Sequence, residues 1–267
     1  MRLLIPVVPD PSAPLARANP VAKLGGALIV MVALFASLDG VTGLVILGVL
    51  LALLPASGIA VSTLVGRAWL LGLAAISIGA FNVLFAAEQI GPIVVTFGPV
   101  RIGAETLVNG AGLAVRLLAI ATAGLLATAT SQPTEVADAL IQQLRASPRF
   151  AIGALAALRL LPLMSREWET ISMARRARGI DAGRNPLVAV RLFAGQMLAL
   201  LVGAVRRGSR MARAMEARGF GAGGCRSVAR VQRMRGGDWA LMGGAAALAA
   251  AAIAISMAFG TWRPLLG

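Results

Sequence analysis

The segment WALMGGAAALAAAAIAISMAFGTW, residues Trp239–Trp262, contains no charged side chain. A helix rises about 1.5 Å per residue, so a helix of this length crosses the apolar core of a bilayer, which is about 30 Å thick. Gly40–Gly66 and Ala68–Ala87 are also uncharged over their whole length. The chain is 58% hydrophobic and only 13% charged, whereas soluble domains are about a quarter charged. We therefore predict an all-α membrane protein.

Two further apolar segments are each interrupted by a single basic residue. Pro20–Asp39 contains Lys23 near its start, where a long side chain can snorkel to the membrane surface. Thr106–Thr130 contains Arg116. Together with the three uncharged segments, these two predict about five membrane-spanning helices.

The distribution of arginines predicts the orientation of the chain. Of the 25 lysines and arginines, 18 are arginines between Arg145 and Arg235. Cytoplasmic segments close to membrane spans are enriched in these residues. We therefore predict that residues 131–236 are cytoplasmic, that residues 1–130 form the first four spans, and that residues 237–267 form the last. The N-terminus is then inside and the C-terminus outside.

The cytoplasmic segment is predicted to form three helices, over Pro133–Leu144, Pro148–Arg178 and Asn185–Arg218. The last of them opens with asparagine followed by proline, a pattern typical of a helix start. Two apolar stretches inside these helices, Phe150–Met164 and Leu192–Val205, are shorter than a full crossing and flanked by arginines. We interpret them as buried or interfacial.

The second and third of these helices end in the same way. One ends with Ala177-Arg178-Gly179-Ile180 and the other with Ala217-Arg218-Gly219-Phe220. Glycine accepts the left-handed conformation that closes a helix, and arginine lies favourably beside the negative end of the helix dipole. Ordinary helix caps would explain either copy alone. Two copies on long basic helices favour docking, because a rigidly held guanidinium forms a fork for a partner's carboxylate.

This pair of motifs resembles the twin Ala-Arg-Gly signature of the T component (EcfT or CbiQ type) of energy-coupling factor (ECF) transporters. Weaker similarities follow in the same order along nearly the whole chain. Asn19–Lys23 resembles the opening before the first span, Phe97–Val100 a turn before the fourth span, and Ser131–Thr134 the entry to the first cytoplasmic helix.

The resemblance implies a function and a set of partners. Proteins of this family are scaffolds that join two cytoplasmic ABC-type ATPases to a membrane-embedded, substrate-binding S component. The resemblance implies that Arg178 and Arg218 bind acidic groups on the ATPases. ATP-driven movement would then reorient the S component for uptake of a vitamin or a transition-metal ion. The protein would be multi-pass in a prokaryotic plasma membrane, and it would not itself be an enzyme.

Three other residues are predicted to support this site. Arg175 and Glu216 lie close to the two motifs, and Glu216 could pair with Arg213 or orient Arg218. Arg116 lies within an apolar span, and a charge at membrane depth is a functional hypothesis by default. Snorkelling or a structural pairing is the alternative for Arg116.

Composition argues against other functions. The chain has no histidine and one cysteine, so we predict no metal site and no cofactor. No Gly-x-x-x-x-Gly-Lys-[Ser/Thr] loop is present, so ATP would have to bind another chain. The positive charge is explained by orientation in the lipid bilayer, and we predict no nucleic-acid partner. The alternative is a membrane-embedded enzyme such as a lipid-modifying transferase, which would need paired acids or a histidine at membrane depth.

Overall fold

The computed structural model describes residues 13–58, 61–86, 91–97, 100–180, 182–183, 185–220 and 230–262. The predicted all-α class is confirmed. In chain order the helices are α1 (Pro14–Arg17), α2 (Pro20–Ala36), α3 (Gly40–Ala52), α4 (Val61–Leu84), α5 (Ala104–Ala129), α6 (Pro133–Gln143), α7 (Pro148–Ala177), α8 (Pro186–Ala217) and α9 (Gly236–Ala258).

The chain folds as two compact units. The first, called here the bundle unit, comprises Met1–Ala139 and Gln232–Gly267. The second, called here the inserted unit, comprises Leu140–Val231 and falls within the predicted cytoplasmic segment.

Helices α2 and α9 run in the same direction and are joined by hydrogen bonds at both ends. At the start, the backbone N–H of Asn19 donates to Oδ1 of Asp238 at 2.7 Å. At the far end, the hydroxyl of Ser256 donates to Oδ2 of Asp39 at 2.6 Å. The predicted path requires the same direction for the first and last spans.

Close contacts between glycines fix the directions of the other bundle helices. A Cβ on Gly40 of α3 would lie 3.1 Å from Cα of Gly112 in α5. A Cβ on Gly79 of α4 would lie 2.7 Å from the carbonyl oxygen of Gly110, also in α5. Small residues permit such close approach in membrane helix bundles. Gly43 of α3 lies against Arg116, and Gly72 of α4 lies against Leu118. With these second points, α3 is parallel to α5 and α4 is antiparallel to it, as alternate crossings require.

The apolar core of the bundle unit lies among α2, α3, α5 and α9. Its buried members are Val30, Leu34, Ile46, Leu47, Leu50, Leu54, Ala119, Ala123, Leu126 and Ala252. Many large apolar residues elsewhere are exposed; on α4 they include Trp69, Leu73, Ile76 and Phe81. An exposed apolar surface of this extent fits a lipid environment or a partner.

Lys23 does not snorkel as predicted. Its side chain is buried, and its ammonium donates to the carbonyl oxygens of Ala16, at 3.1 Å, and Thr130, at 2.8 Å. Thr130 is the residue that caps the C-terminus of α5, where unpaired carbonyls attract a cation. Lys23 therefore joins the first turn of α2 to the end of α5.

The structure differs from the predicted spans in length. Among the described residues, four helices are long and apolar enough to cross a membrane: α5, α7, α8 and α9. The apolar stretches of α2, α3 and α4 have 10–17 residues. The uncharged run Gly40–Gly66 overestimated the length of the second span. It includes the 3-10 turn Pro55–Ser57 and the start of α4 as well as α3. The five-span path with the N-terminus inside stays a prediction.

Phe150–Met164 and Leu192–Val205 lie inside α7 and α8, as predicted. By length and composition both helices are also apolar enough to cross a membrane. The interpretation of the two stretches as buried or interfacial stays a prediction. The predicted cytoplasmic residues 131–236 are called here the inserted segment, and their predicted helix boundaries are confirmed to within one or two residues. Asn185 caps α8 by accepting from the N–H groups of Leu187 and Val188.

One small sheet was not predicted. Strand β1 (Ile93–Phe97) pairs antiparallel with β2 (Val100–Gly103), with Phe97 opposite Val100 and an irregularity between Ile93 and Val95. The pair precedes α5. Gly98 and Pro99 of the predicted turn lie outside the described residues.

Replacing Asp39, which follows α2 and caps the start of α3, tests the polar contact of this turn with α9. The Asp39 carboxylate accepts from the N–H of Thr42 and from the hydroxyls of Ser37, Thr42 and Ser256. Asp39→Ala removes a helix cap and leaves buried donors without an acceptor, so we expect a loss of about 2 kcal/mol. Thermal unfolding in detergent measures this loss. Asp39→Asn, which can still cap the helix, should lose less, and equal losses would contradict this account.

Candidate functional site

Helix α7 ends in a Schellman turn. Arg178 has near-helical backbone angles, φ −89° and ψ 8°, and Gly179 follows with φ +70°. The N–H of Ile180 donates to the carbonyl of Arg175 at 3.0 Å, and the N–H of Gly179 donates to the carbonyl of Arg176 at 2.9 Å. These two bonds define the motif, and the positive φ explains why the sequence has glycine there.

Helix α8 ends with the same geometry. Arg218 has φ −91° and ψ 14°, and Gly219 has φ +77°. The N–H of Phe220 donates to the carbonyl of Met215, and the N–H of Gly219 donates to that of Glu216, both at 2.9 Å. Both predicted helix stops are thus confirmed, each with its arginine at the C-cap position.

Both motifs are open to solvent or to a partner. Each alanine, arginine and glycine of the two motifs is exposed: Ala177, Arg178, Gly179, Ala217, Arg218 and Gly219. The apolar residues that follow differ, because Ile180 is 45% exposed whereas Phe220 is partly buried. Phe220 helps to line a recess of about 310 Å³ together with Met215, Arg218 and Gly219. The second end therefore combines a guanidinium with a small recess whose lining is polar and apolar in about equal parts.

Hydrogen bonds and an aromatic contact hold α7 and α8 together. The side-chain amide of Gln196, on α8, donates to the carbonyl of Trp168 at 2.8 Å and to the hydroxyl of Ser172 at 2.6 Å. The rings of Trp168 and Phe193 meet edge-to-face with centroids 5.4 Å apart. Gln196 is buried, so these bonds are shielded from competing water. Sequence reasoning missed this contact, because a glutamine on a basic helix looks like a surface residue.

Two arginines extend the contact in opposite directions along the helices. Arg175 donates to the carbonyl of Leu192 at 2.5 Å, and Arg207 pairs with Glu167 at 3.1 Å. As the residue number falls along α7, it rises along α8, so the helices run antiparallel through their contact. The predicted supporting residue Arg175 thus joins the end of α7 to α8.

The Glu167–Arg207 ion pair lies at the same distance along the chain from each motif. Glu167 precedes Arg178 by 11 residues, and Arg207 precedes Arg218 by 11 residues. At 1.5 Å per helical residue, each arginine lies about 16 Å beyond the ion pair along its own helix. Because the helices are antiparallel, the two arginines lie on opposite sides of the ion pair. The 40-residue offset between the motifs also relates these two residues, and this signal could have been read from the sequence.

The other two supporting residues lie in different surroundings. Glu216 is exposed and, in the part of the chain that the structure describes, forms no ion pair with Arg213 or Arg218. Arg116 belongs to the bundle unit, where its Nη1 donates to the carbonyl of Ser37 at 3.5 Å. It therefore lies against the turn between α2 and α3 and not beside the motifs. A functional role for Arg116 stays a prediction.

No group of three histidine, cysteine, aspartate or glutamate residues that could hold a metal ion occurs among the described residues. The two arginine-bearing helix ends form the candidate site.

Comparison with known proteins identifies the class and then the family. The long apolar helices and the bacterial relatives identify a multi-pass protein of the prokaryotic plasma membrane. Residues 11–229 match the CbiQ family, described as cobalt transport protein. This match covers most of the chain, and the chain belongs to that family.

Several curated relatives carry the name energy-coupling factor transporter transmembrane protein EcfT. The protein from Heliobacterium modesticaldum is 35% identical over 159 residues, which are 57% of this chain and 60% of the relative. That from Lacticaseibacillus paracasei is 34% identical over 147 residues, 52% of this chain and 55% of the relative. EcfT 1 from Listeria monocytogenes is 32% identical over 169 residues, 59% and 61% of the two chains. The matched region is thus about six tenths of the relatives' length.

Alanine at the two motif glycines tests the geometry of the helix ends. In Gly179→Ala and Gly219→Ala the added Cβ disfavours positive φ by about 1 kcal/mol. We expect amide hydrogen exchange in the last turn of the helix to become about fivefold faster.

Gly153→Ala and Gly208→Ala are matched controls, because both glycines are in the same helices and an added Cβ meets no atom within 4 Å. Alanine is the better helix former, so exchange in these variants should be unchanged or slower. Equal acceleration in all four variants would contradict the role of positive φ.

Proposed function

We propose that this protein is the membrane scaffold of an ECF-type ABC importer. In this role it couples ATP hydrolysis by two cytoplasmic ATPases to reorientation of a substrate-binding S component in the membrane. The observation that carries the proposal is the pair of Schellman-capped helix ends, each with an exposed arginine at the same cap position. The EcfT names of the relatives support the same class of transporter.

The two helix ends have the chemistry needed to bind acidic grooves. A guanidinium donates in a fixed planar fork that matches a carboxylate, and it keeps its charge at any physiological pH. Arg178 and Arg218 are exposed on rigid helix ends, so little conformational entropy of the backbone is lost on docking. We infer that each arginine binds an acidic groove of one ATPase.

The geometry of the inserted unit suits two simultaneous partners. The arginines lie on antiparallel helices and at equal distances from the Glu167–Arg207 ion pair, so together they span roughly 30 Å along the helices. Two separate proteins can dock at such a spacing without competing for one surface. The hydrogen bonds of the buried Gln196 join α7 to α8. A displacement of one helix end would therefore be carried to the other helix.

The S component would bind an apolar membrane surface of this chain. Helix α8 exposes several large apolar side chains, among them Leu187, Val190, Leu198, Leu201 and Val205. A scaffold that carries such a surface on the same helix as Arg218 can pass movement of the ATPases to a protein in the membrane. We propose a vitamin or a transition-metal ion as the cargo, and the description of the family as cobalt transport protein favours the metal ion. The chain itself would not be catalytic.

Charge reversal at the two arginines tests docking. We expect Arg178→Glu together with Arg218→Glu to release both ATPases, because each acidic groove would then face another acid. Each single variant should release one ATPase and retain the other. Co-purification of the membrane complex, followed by quantification of each ATPase, measures this outcome.

Arg166→Glu together with Arg206→Glu is the matched control. Both arginines are exposed. Arg166 lies on α7 and Arg206 on α8, and each precedes the motif arginine of its helix by 12 residues. The control makes the same change in net charge away from the helix ends, so it should retain both ATPases. The docking proposal fails if the motif variant keeps both ATPases, or if the control loses them equally.

A further inference from the structure

A cavity of about 710 Å³ lies in the bundle unit among residues of α1, α2, α3, α5 and α9. This volume falls within the range of about 300–1,000 Å³ that is usual for sites that bind small molecules. Most of the lining is apolar; the larger side chains include Val30, Leu50, Leu53, Leu126, Leu241 and Leu248. The apolar part of the cavity could therefore receive a hydrocarbon chain.

One end of the cavity is cationic. Arg17 in the last turn of α1, Lys23 in the first turn of α2 and Arg235 at the start of α9 all line it. Asp238 is the acidic residue of the lining, and its two oxygens accept from the backbone N–H groups of Asn19 and Arg235 at 2.7 Å each. The lining thus has two more positive than negative side chains. Glu135 is outside the lining but interacts electrostatically with Lys23, and it reduces the excess at this end to one. Such an end would attract an anion.

Lys23 adds a buried donor to this end. Its side chain is only 3% exposed and its ammonium bonds to the carbonyls of Ala16 and Thr130. An ammonium has three N–H donors, and among the described residues two carbonyls accept from it; Lys23 also belongs to the cavity lining. A phosphate oxygen would be a further acceptor for this ammonium.

The cationic end lies where α2 and α9 begin and where α5 ends. The inserted segment starts after α5 and returns at α9, so this is the end of the bundle predicted to face the cytoplasm. Anionic lipids are concentrated in the cytoplasmic leaflet, and basic pockets between membrane helices on that side bind their headgroups.

We propose that this cavity is a binding site for an anionic phospholipid of the cytoplasmic leaflet. The phosphate binds at the end lined by Arg17, Lys23 and Arg235, and an acyl chain lies along the apolar walls. Gly244 is part of the lining, and an added Cβ there would meet no atom within 4 Å, so the acyl chain can approach the backbone of α9 at this point. The site is separate from the motifs at Arg178 and Arg218.

Lipid titration of the purified chain in a neutral detergent tests the proposal. Phosphatidylglycerol, phosphatidylcholine and inorganic phosphate are compared, with native mass spectrometry to count bound lipid and thermal unfolding to measure stabilisation. We expect one phosphatidylglycerol to bind in preference to phosphatidylcholine and to raise the unfolding temperature.

Substitutions at the exposed arginines locate the site. At about 1 kcal/mol for each basic residue, Arg17→Gln with Arg235→Gln should weaken phosphatidylglycerol binding about thirtyfold. Arg17→Lys with Arg235→Lys should retain most of it. Arg166→Gln with Arg206→Gln is the control for general attraction between lipid and a basic protein, and it should bind as the unchanged chain does.

Four outcomes would overturn the proposal. They are equal binding of phosphatidylcholine, an unchanged affinity in the Arg17→Gln and Arg235→Gln variant, an equal loss in the control, and equal stabilisation by inorganic phosphate. The lipid-free unfolding temperature of each variant shows whether it has folded, and the lysine variant provides a folded comparison if the glutamine variant does not.

Discussion

The hydrogen bonds at the two ends of the α2–α9 pair are the constraint on which the bundle depends. Asn19 bonds to Asp238 at one end, and Asp39 bonds to Ser256 at the other. A lipid-exposed bundle gains little from the hydrophobic effect between helices, because lipid tails are as apolar as leucine. Apolar packing therefore tolerates sliding of one helix along another. Buried polar groups do not, because a donor or acceptor that loses its partner has no water to replace it.

The same bonds bring the two junctions of the inserted segment to one place. Lys23 binds the carbonyl of Thr130, just before the segment starts, and Asn19 binds Asp238, just after it ends. Both junctions are therefore attached to the first turn of α2. A force that reaches either junction acts on the same turn, and the glycine contacts of α5 with α3 and α4 carry it to the other helices. The scaffold role proposed above would need this kind of continuity.

The sequence predicted features that local chemistry decides and missed features that distant residues decide. The ends of α7 and α8 were predictable, because Gly179 and Gly219 are strong local stop signals. The role of Lys23 was not predictable, because its partner Thr130 is 107 residues away. No residue near Lys23 in the sequence indicates that its ammonium meets a backbone carbonyl. Span lengths were overestimated at Gly40–Gly66, because an absence of charge does not distinguish a helix from the apolar turn that follows it. The equal spacing of Glu167 and Arg207 from the motifs is visible in the sequence. Only the structure shows that these two residues form an ion pair.

The two helix ends share a backbone geometry but differ in their chemistry. Arg175 and Arg176 precede the first motif, whereas Met215 and Glu216 occupy the same positions before the second. Arg175 is bonded to α8, which leaves two exposed cations at the first end, and the charges of Glu216 and Arg218 cancel at the second. In the docking proposed above, attraction at the first end would be mainly electrostatic and would weaken with salt. The second end would depend on the single guanidinium of Arg218 beside the recess formed with Met215 and Phe220, so the shape of the recess would contribute more there. Two partners that fit these ends best would have different surfaces, although the same turn presents both arginines.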